Sequence, residues 1–555
     1  MARMAPLAVI LLAFVIFPFA ALSNPGGYYG NRPTAHIDSG LVVGFTQTIP
    51  GSRIKLNTFL GIPFAAKPVR WGPPIPPAPW KTPFDASNFG PACVQQFNYP
   101  DPRRSLILKW FNTPPPPAGE SEDCLNLNVY APPPTKRGQP KAVMVWLYGG
   151  GLLYGSNSGR LYNASGLAAN EDVIVVVLNY RTNVFGFPGS PQLPPTERNL
   201  GFLDQRLALD WVQRNIAAFG GDPDKVTIFG ESAGALSVDA LLTQPPEPVP
   251  FYAAIMESGT ATFRGRPTDP AASWNILVAA MNCTASNSSS YILSCMRGLP
   301  ATTIKDYNEH NRLSWSPVFD NVTSADTARS NRLTSTPSNS KIARVPILGG
   351  SNADEGRLYS VSANDSSSFI RGLFPTATDA DIANLLAAYP IGVPPPVGFP
   401  NEFEQLAAIY TDFVFQCPAR LVAIETAQVG IPSWRYYYNA SFPNTDIFPD
   451  SGVYHSSEIG IVLDTYPDEG ATPFQVHLSH YVQKVWADFA KNPYGWGVPP
   501  WPQVSEAMGM LGGGVRVEDG PDAFGPLLTV LDPAEMDMVD QRCWIYQPIY
   551  DFLGH

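Results

Sequence analysis

The sequence VTIFGESAGALSVDALL occupies residues 226–242 and gives the strongest indication of the fold. The pattern G-x-S-x-G at residues 230–234 follows a strand-like apolar run and precedes a helix-like run. Strand, G-x-S-x-G and helix are the context of a nucleophile elbow, a sharp turn that exposes a serine hydroxyl above a sheet. The glycines remove Cβ atoms that would collide where strand and helix meet. Ser232 is therefore predicted to be a nucleophile in a strained backbone conformation.

Alternating apolar runs elsewhere in the chain indicate the fold class. Residues 142–147, 173–178 and 252–256 are strand-like, and residues 203–219 have a helical apolar stripe. Continuous apolar strands are expected in a sheet covered on both faces, and their alternation with helices is typical of parallel sheets. The sequence predicts an α/β fold with a large, mostly parallel central sheet covered by helices on both faces. It shows no repeat or linker, so residues 24–555 are predicted to form one catalytic domain.

The composition excludes several classes of protein. Charged residues make up 15% and aromatic residues 12% of the 555 residues, which is typical of a folded globular chain and not of a disordered one. The net charge is −11 and no basic stripe is present, so nucleic acid is not expected as a partner. The sequence gives no indication of the oligomeric state.

The N-terminus is typical of a secretory signal peptide. Arg3 precedes an apolar run at residues 7–17, and small residues follow as far as Ser23. This order predicts a signal peptide over residues 1–23 and a secreted, extracellular protein. No later run is long and apolar enough to predict a transmembrane segment.

The cysteines and glycosylation sequons agree with secretion. Six cysteines in a secreted chain suggest three disulfides, and their spacing alone leaves the pairing open. No C-x-x-C pair suggests a metal, and neither a metal nor an organic cofactor is expected. Six N-x-S/T sequons predict a glycoprotein with these asparagines on its surface: Asn163, Asn282, Asn287, Asn321, Asn364 and Asn439.

A serine nucleophile needs a base, which is usually histidine. His455 lies in a turn-like segment after the sheet region and fits the order serine, acid, histidine that accompanies an elbow of this kind. The acid is then expected between the two, and Glu355 follows an apolar run that ends in a glycine-rich loop. Asp354 is its immediate rival, and composition alone does not choose between them. His477 and His480, three residues apart, are more typical of an exposed helix than of a metal pair.

Donors for an oxyanion are expected at residues 148–151, YGGG, after the predicted strand 142–147. Glycines let backbone N–H groups approach a substrate closely. With the amide of Ala233, just after the elbow serine, they would form an oxyanion hole.

These motifs together resemble the type-B carboxylesterase/lipase family, which includes cholinesterases and secreted fungal lipases. The resemblance covers nearly the whole chain after the predicted signal peptide. It rests on blocks in family order at residues 59–65, 121–128, 146–151, 179–181, 229–234, 354–356 and 455–458.

The resemblance implies roles for particular residues. It identifies Glu355 as the acid of the triad and Gly150 and Gly151, with Ala233, as the oxyanion donors. It also implies structural ion pairs, Arg70 with Glu122 and Arg181 with Asp204, and disulfides. The implied disulfides are Cys93–Cys124, Cys283–Cys295 and Cys417–Cys543.

The same resemblance implies a substrate pocket that includes Trp110, Glu231, Leu313 and Leu358. Leu313 and Leu358 stand where acetylcholinesterases carry aromatic residues, and Trp110 alone does not make a cage for a quaternary ammonium. Further apolar residues around Trp110 are typical of a lid or a pocket wall.

We therefore expect a secreted serine hydrolase that acts through a Ser-Glu-His triad and an acyl-enzyme on uncharged, fairly apolar esters, either small molecules or lipids. The alternative with the same chemistry is a triacylglycerol lipase or sterol esterase with an apolar lid. A cholinesterase, or a non-catalytic adhesion or binding homologue, is less favoured because the cation site differs and the triad is complete.

Overall fold

The computed structural model describes residues 30–553 except 51, 53, 102, 135–137, 264–268, 362, 364 and 394–396. The predicted signal peptide, residues 1–23, and the sequon at Asn364 lie outside the described residues.

The strands of the described chain are named β1 to β14 in sequence order. They are β1 (Thr34–Ile37), β2 (Gly40–Val43), β3 (Phe45–Thr48), β4 (Lys55–Pro63), β5 (Phe84–Asp85), β6 (Asn126–Ala131), β7 (Lys141–Leu147), β8 (Ile174–Leu178), β9 (Gly221–Glu231), β10 (Ala253–Glu257), β11 (Ile347–Asn352), β12 (Ser433–Tyr438), β13 (Met508–Leu511) and β14 (Leu528–Leu531).

The α-helices are named α1 to α18, and a π-helical turn, Thr411–Gln416, lies between α13 and α14. They are α1 (Arg103–Phe111), α2 (Ser165–Glu171), α3 (Asn183–Gly186), α4 (Leu200–Asn215), α5 (Ala233–Thr243), α6 (Ala272–Ala280), α7 (Ser289–Arg297), α8 (Ala301–Asn311), α9 (Ala328–Thr334), α10 (Arg357–Ser360), α11 (Ser366–Leu373), α12 (Asp379–Ala387), α13 (Glu402–Tyr410), α14 (Cys417–Gln428), α15 (Ile459–Leu463), α16 (Pro473–Lys491), α17 (Pro533–Val539) and α18 (Cys543–Leu553).

The central sheet has 11 strands in the order β14-β13-β12-β11-β10-β9-β7-β8-β6-β4-β3. Its middle, from β13 to β8, is parallel, and antiparallel strands flank it on both sides. Every residue of β7, β8 and β10 is buried, so helices and loops cover both faces of the middle of the sheet. The predicted α/β fold is confirmed, and the antiparallel edges make the whole sheet mixed.

The parallel centre of the sheet determines where functional groups can meet. The carboxyl ends of parallel strands lie at one edge of a sheet, and in open α/β sheets ligands bind there. β9 ends at Glu231, β10 at Glu257 and β11 at Asn352. The neighbours β9 and β10 align Glu231 with Glu257. The loops after these strands therefore share one edge.

The three disulfides implied by the family resemblance are present, and they use every cysteine of the chain. The Cα atoms lie 4.9 Å apart in Cys93–Cys124, 5.6 Å in Cys283–Cys295 and 5.3 Å in Cys417–Cys543. The first bridge closes the loop that carries α1, and the third ties α14 to α18.

The implied ion pairs are also present. Arg70 Nε donates to Glu122 at 2.7 Å, and Arg181 Nε donates to the buried Asp204 at 2.8 Å. Both join segments distant in sequence, so they fix the loops that they connect.

Surface features bear on the remaining sequence predictions. Within the described residues, no helix combines the length and apolar character that a membrane span requires. The sequon residues Asn163, Asn282, Asn287 and Asn321 are exposed, whereas Asn439 is half-buried and accepts a hydrogen bond from Arg516. Glycosylation of these residues stays a prediction.

Candidate active site

The nucleophile elbow has the geometry that its sequence predicts. Ser232 joins β9 to α5 with φ 56° and ψ −120°, an uncommon backbone conformation for a residue with a side chain. A Cβ at Gly234 would lie 1.9 Å from the carbonyl oxygen of Leu147, and one at Gly230 would lie 2.5 Å from the same atom. Only glycine fits at these positions, because the neighbouring strand β7 passes directly against the turn.

His455 and Glu355 meet at the carboxyl edge of the sheet. Nδ1 of His455 lies 2.6 Å from Oε2 of Glu355, and both side chains are buried. The other oxygen, Oε1, accepts the backbone N–H of Asn352 at 2.7 Å. With the carboxylate held in this way, its bond to Nδ1 leaves Nε2 of the imidazole to face a substrate or nucleophile.

Nε2 of His455 makes no hydrogen bond to any described residue, including Ser232. Its near neighbour is Oε1 of Glu231, at 3.2 Å. That oxygen accepts a hydrogen bond from Ser456 Oγ at 2.6 Å. The histidine and serine thus come from loops at the same edge, with no direct hydrogen bond between them. Hydrogen bonds of this type are often longer or absent without substrate.

Asp354, the sequence rival of Glu355, does a different job. Its Oδ2 accepts the backbone N–H of Val453 at 2.9 Å, and its own N–H donates to the carbonyl of Val453 at 3.0 Å. These bonds join the loop of the acid to the loop of the histidine. Asp354 therefore aligns the two loops, while only Glu355 contacts the imidazole.

The glycine-rich loop lies against the elbow. A Cβ at Gly149 would lie 2.9 Å from Cβ of Ser232, so only glycine allows this approach. Gly150 and Gly151 have φ of 99° and 62°, in the region that favours glycine. The amides of these two residues and of Ala233 donate no hydrogen bond to the described part of the chain. Three free donors next to a serine suit an oxyanion.

Buried carboxyl groups surround the histidine. Burial raises the pKa of Glu231 well above its usual range, and the nearby charges of Glu355 and Glu257 raise it further. Burial also raises the pKa of Glu458 well above its usual range. It raises the pKa of Glu257 to about 7. The neutral form of Glu231 is therefore favoured beside the imidazole, where an ionised carboxylate would trap the imidazolium.

Two aromatic rings contact the imidazole of His455. The ring of Phe415 stacks on His455 with centroids 4.4 Å apart, and Tyr359 lies 5.6 Å away at a tilt. Phe415 belongs to the π-helical turn, a distortion found often at functional sites. Thr411, at the start of that turn, accepts the N–H of Gly356 at 2.9 Å. The turn is thus tied to the residue that follows Glu355.

The four predicted pocket residues lie in different surroundings. Glu231 is 3.2 Å from the imidazole, as described above. Trp110 packs edge-on against Tyr454 at 5.6 Å, and Leu358 belongs to the small apolar cluster around Tyr454. Leu313 is buried in the main core, where its carbonyl accepts Gln96 Nε2 at 2.8 Å. Trp110 and Leu358 therefore pack together beside the histidine loop.

Four supporting residues of the site had no role predicted from the sequence: Asn352, Phe415, Glu257 and Glu458. Asn352 Nδ2 donates to the carbonyl of Tyr454 at 3.0 Å and also to Glu458, which fixes the histidine loop. A usable signal was present for two of them, because Glu257 and Asn352 are the last residues of parallel strands. No local pattern marks Phe415.

No cluster of three or more His, Cys, Asp or Glu side chains in the described residues has an arrangement that could hold a metal ion.

The parallel sheet, the elbow between β9 and α5 and the loops at its carboxyl edge define an α/β-hydrolase.

The sequence identifies the family within that class. Residues 31–512 match the Carboxylesterase family. The chain is 31% identical to carboxylesterase 1C of Rattus norvegicus over 90% of this chain and 93% of the relative. It is 32% identical to the cocaine esterase of Homo sapiens, over 85% and 86%, and to the acetylcholinesterase of Bungarus fasciatus, over 79% and 75%. The chain belongs to the carboxylesterase family and is a carboxylic ester hydrolase.

Proposed function

We propose that Ser232, His455 and Glu355 form a catalytic triad that hydrolyses carboxylic esters through an acyl-enzyme. The observation that carries the proposal is the 2.6 Å contact between His455 Nδ1 and Glu355 Oε2, buried beside the elbow serine. This contact engages Nδ1, and Nε2 of His455 has no hydrogen-bond partner among the described residues.

The proposed reaction has two halves. Ser232 Oγ attacks the carbonyl carbon while His455 Nε2 takes the hydroxyl proton, and Glu355 stabilises the resulting imidazolium through Nδ1–H. Nε2 then gives the proton to the departing alcohol oxygen, which leaves the acyl group on Ser232. A water molecule repeats the attack on the acyl carbon with His455 as the base. His455 then gives that proton to Ser232 Oγ as the bond to the acyl carbon breaks, which releases the carboxylic acid.

The free amides of Gly150, Gly151 and Ala233 are proposed to hold the oxygen that becomes negative in each tetrahedral intermediate. The α5 helix, which begins at Ala233, adds its positive end to these donors. Because the donors are part of the backbone, they are in position before the charge develops.

The proposed substrates are uncharged, fairly apolar esters rather than choline esters. Leu358 offers no aromatic face to a quaternary ammonium, and Trp110 makes a T-shaped contact with Tyr454 within the same apolar cluster. A single tryptophan packed in this way supports binding of hydrocarbon better than binding of a cation.

A second candidate is a lipase or sterol esterase, favoured by one observation. Helix α1 has no buried residue, yet Leu106 and Trp110 on it pack on the cluster beside the histidine loop. A partly buried helix that covers an apolar surface by a few side chains is suited to be a lid. A sharp rise in rate when the substrate passes its solubility limit would favour this candidate.

We also propose that the protein is secreted and that its exposed sequons carry glycans. Three disulfides and no free cysteine support an oxidising compartment. Mass spectrometry of the purified protein, before and after glycosidase treatment, tests both the cleavage near Ser23 and the occupancy.

The triad is tested directly by covalent labelling. A fluorophosphonate reacts with an activated serine hydroxyl, forming a P–O bond and releasing fluoride, and peptide mapping then locates the adduct. We expect the label on Ser232 and loss of hydrolysis of p-nitrophenyl esters, acetate to palmitate, in solution and in emulsion. A label on another serine, or full activity after labelling of Ser232, would contradict the proposal.

A further inference from the structure

Arg103, the first residue of α1, carries a guanidinium whose recorded contact among the described residues is the face of the Tyr359 ring. It makes no hydrogen bond or ion pair to any described residue. Its neighbour Arg104 behaves differently, because it donates to the carbonyl of Phe97 at 3.1 Å and pairs with Glu309 at 3.4 Å. Arg104 is thus committed to the fold, whereas the charge of Arg103 is available to a ligand.

The guanidinium of Arg103 is linked to His455 through one aromatic ring, that of Tyr359. Its Cζ is 5.8 Å from the ring centre of Tyr359, and that ring is 5.6 Å from the ring of His455. The charge is therefore within the sum of these distances, about 11 Å, of the imidazole. Tyr359 also stacks on Tyr410 at 4.2 Å, so the ring beneath the guanidinium is held in place.

The electrostatic reach of Arg103 covers the rings around the site. Burial raises the pKa of Tyr410 to about 12, and the charge of Arg103 opposes that rise. Burial also raises the pKa of Tyr154. The charge of Arg103 lowers this pKa, and the charge of Glu231 raises it. Tyr154 thus feels both the guanidinium and the carboxyl group next to the nucleophile. A substrate reaching the elbow past these rings would be close to the same positive charge.

We propose that Arg103 determines specificity by charge: at equal size, esters with an anionic group are preferred to neutral esters, and neutral esters to cationic ones. The proposal rests on the ester hydrolysis proposed above and widens its substrates from uncharged esters to esters that carry a carboxylate. A guanidinium binds carboxylate oxygens with directed N–H donors, so an anionic ester gains hydrogen bonds as well as charge attraction.

The same geometry disfavours a cation for two reasons. A quaternary ammonium near Tyr359 would meet a like charge, and the guanidinium already covers a face of that ring. The net charge of the whole chain is −11, which would by itself attract cations. Arg103 therefore places a positive charge near Tyr359 that opposes this attraction locally.

Three butyrate esters of one carbon skeleton test the proposal. They are butyrylcholine, its neutral isostere 3,3-dimethylbutyl butyrate, and 4-butyryloxy-2,2-dimethylbutanoate, in which a carboxylate replaces one methyl group. Acid release is followed by titration at constant pH for the wild type, Arg103→Gln, Arg103→Glu and Lys109→Gln. Lys109 is exposed on the same helix, so its variant removes an equal charge without touching Arg103.

We expect the ratio of kcat/KM for the anionic ester to that for the cationic ester to fall about tenfold in Arg103→Gln and further in Arg103→Glu. The ratio should stay within about twofold of the wild type in Lys109→Gln, and added salt should reduce it in the wild type. An unchanged ratio in both Arg103 variants overturns the proposal. A wild type that hydrolyses not even p-nitrophenyl butyrate refutes the proposed function itself, and this inference with it.

Discussion

Two regions of the site are built in opposite ways. The floor consists of the elbow at Ser232, the pair Glu355 and His455, and the glycine loop at residues 149–151; the rim is helix α1 with the rings that it covers. The acid and base of the floor are at most 3% exposed and joined by a contact of 2.6 Å. The rim helix has no buried residue. The proposed bond-making groups thus lie on buried loops at the carboxyl edge of the sheet, while the contacts proposed to select a substrate lie on a short helix.

The difference has a physical cause. A catalytic group must be held within a fraction of an ångström, which needs packing on every side. A selecting group has only to alter the free energy of substrates relative to each other, and charge acts over several ångströms. Substitutions in the floor should therefore affect all esters alike, and substitutions in the rim should affect them unequally.

The largest effect is expected from Ser232→Ala, which removes the only proposed nucleophile of the floor. Turnover of p-nitrophenyl butyrate should fall by about 10³ or more. Circular dichroism and the unfolding midpoint serve as the control for folding. A folded variant with near wild-type turnover would show that the nucleophile lies elsewhere.

The next effect separates two adjacent carboxylates. Glu355→Gln removes the charge beside His455 Nδ1, whereas Asp354→Asn keeps an acceptor for the Val453 amide. The first variant should lose more than about tenfold more activity than the second. Steady-state kcat of both variants, measured at one pH, tests this prediction. Equal losses of activity would show that Glu355 is not the catalytic carboxylate.

Stability should also depend on Glu257, the buried acid at the end of β10, next to Glu231. Burial raises the pKa of Glu257 from its ordinary 4.5 to about 7. The folded chain keeps a proton that the unfolded chain releases, so stability is lost as pH rises from 4.5 through 7. Glu257→Gln removes that loss and still accepts Trp486 Nε1–H, bonded at 2.7 Å in the wild type.

The variant should gain about 1–3 kcal/mol of unfolding free energy relative to the wild type at pH 8. The gain should fall to nearly zero below pH 4.5, where the wild-type group is mostly protonated in both states. Urea unfolding with the disulfides intact measures both values. A variant that is less stable at both pH values would mean that the carboxylate stabilises the fold.

The smallest effect concerns the acyl group. The family resemblance implies that Leu313 replaces an aromatic residue in the acyl pocket, so p-nitrophenyl esters longer than acetate should be favoured. Each added methylene should raise kcat/KM about fourfold, from about 0.8 kcal/mol of hydrophobic contact, until the pocket is full. Leu313→Phe should flatten the series from acetate to octanoate. A wild-type preference for acetate would refute the assignment.

The sequence predicted the floor better than the rim, because the constraints on the floor are local. The collision of a Cβ at Gly234 with Leu147 is a property of any strand–turn–helix of this kind, so the motif alone indicates it. The pairing of Glu355 with His455 needed the family resemblance in addition, and its catalytic role stays a prediction.

The remaining contacts had no local pattern. Phe415 precedes His455 by 40 positions and stacks on it from within a π-helical turn. Arg103 differs from Arg104 only in what its side chain meets after folding. Such contacts depend on how loops pack over the sheet, and neither periodicity nor composition encodes that packing.

The disulfide between Cys417 and Cys543 links the π-helical turn to a segment that is synthesised late. The two cysteines are 126 residues apart, and the first lies two positions after Phe415. Gln416 also donates to the carbonyl of Val539 at 2.5 Å. The π-helical turn, whose Phe415 ring stacks on His455, is therefore anchored to residues that the ribosome adds much later. A nascent protein released before residue 543 would contain every group of the triad but would lack this anchor.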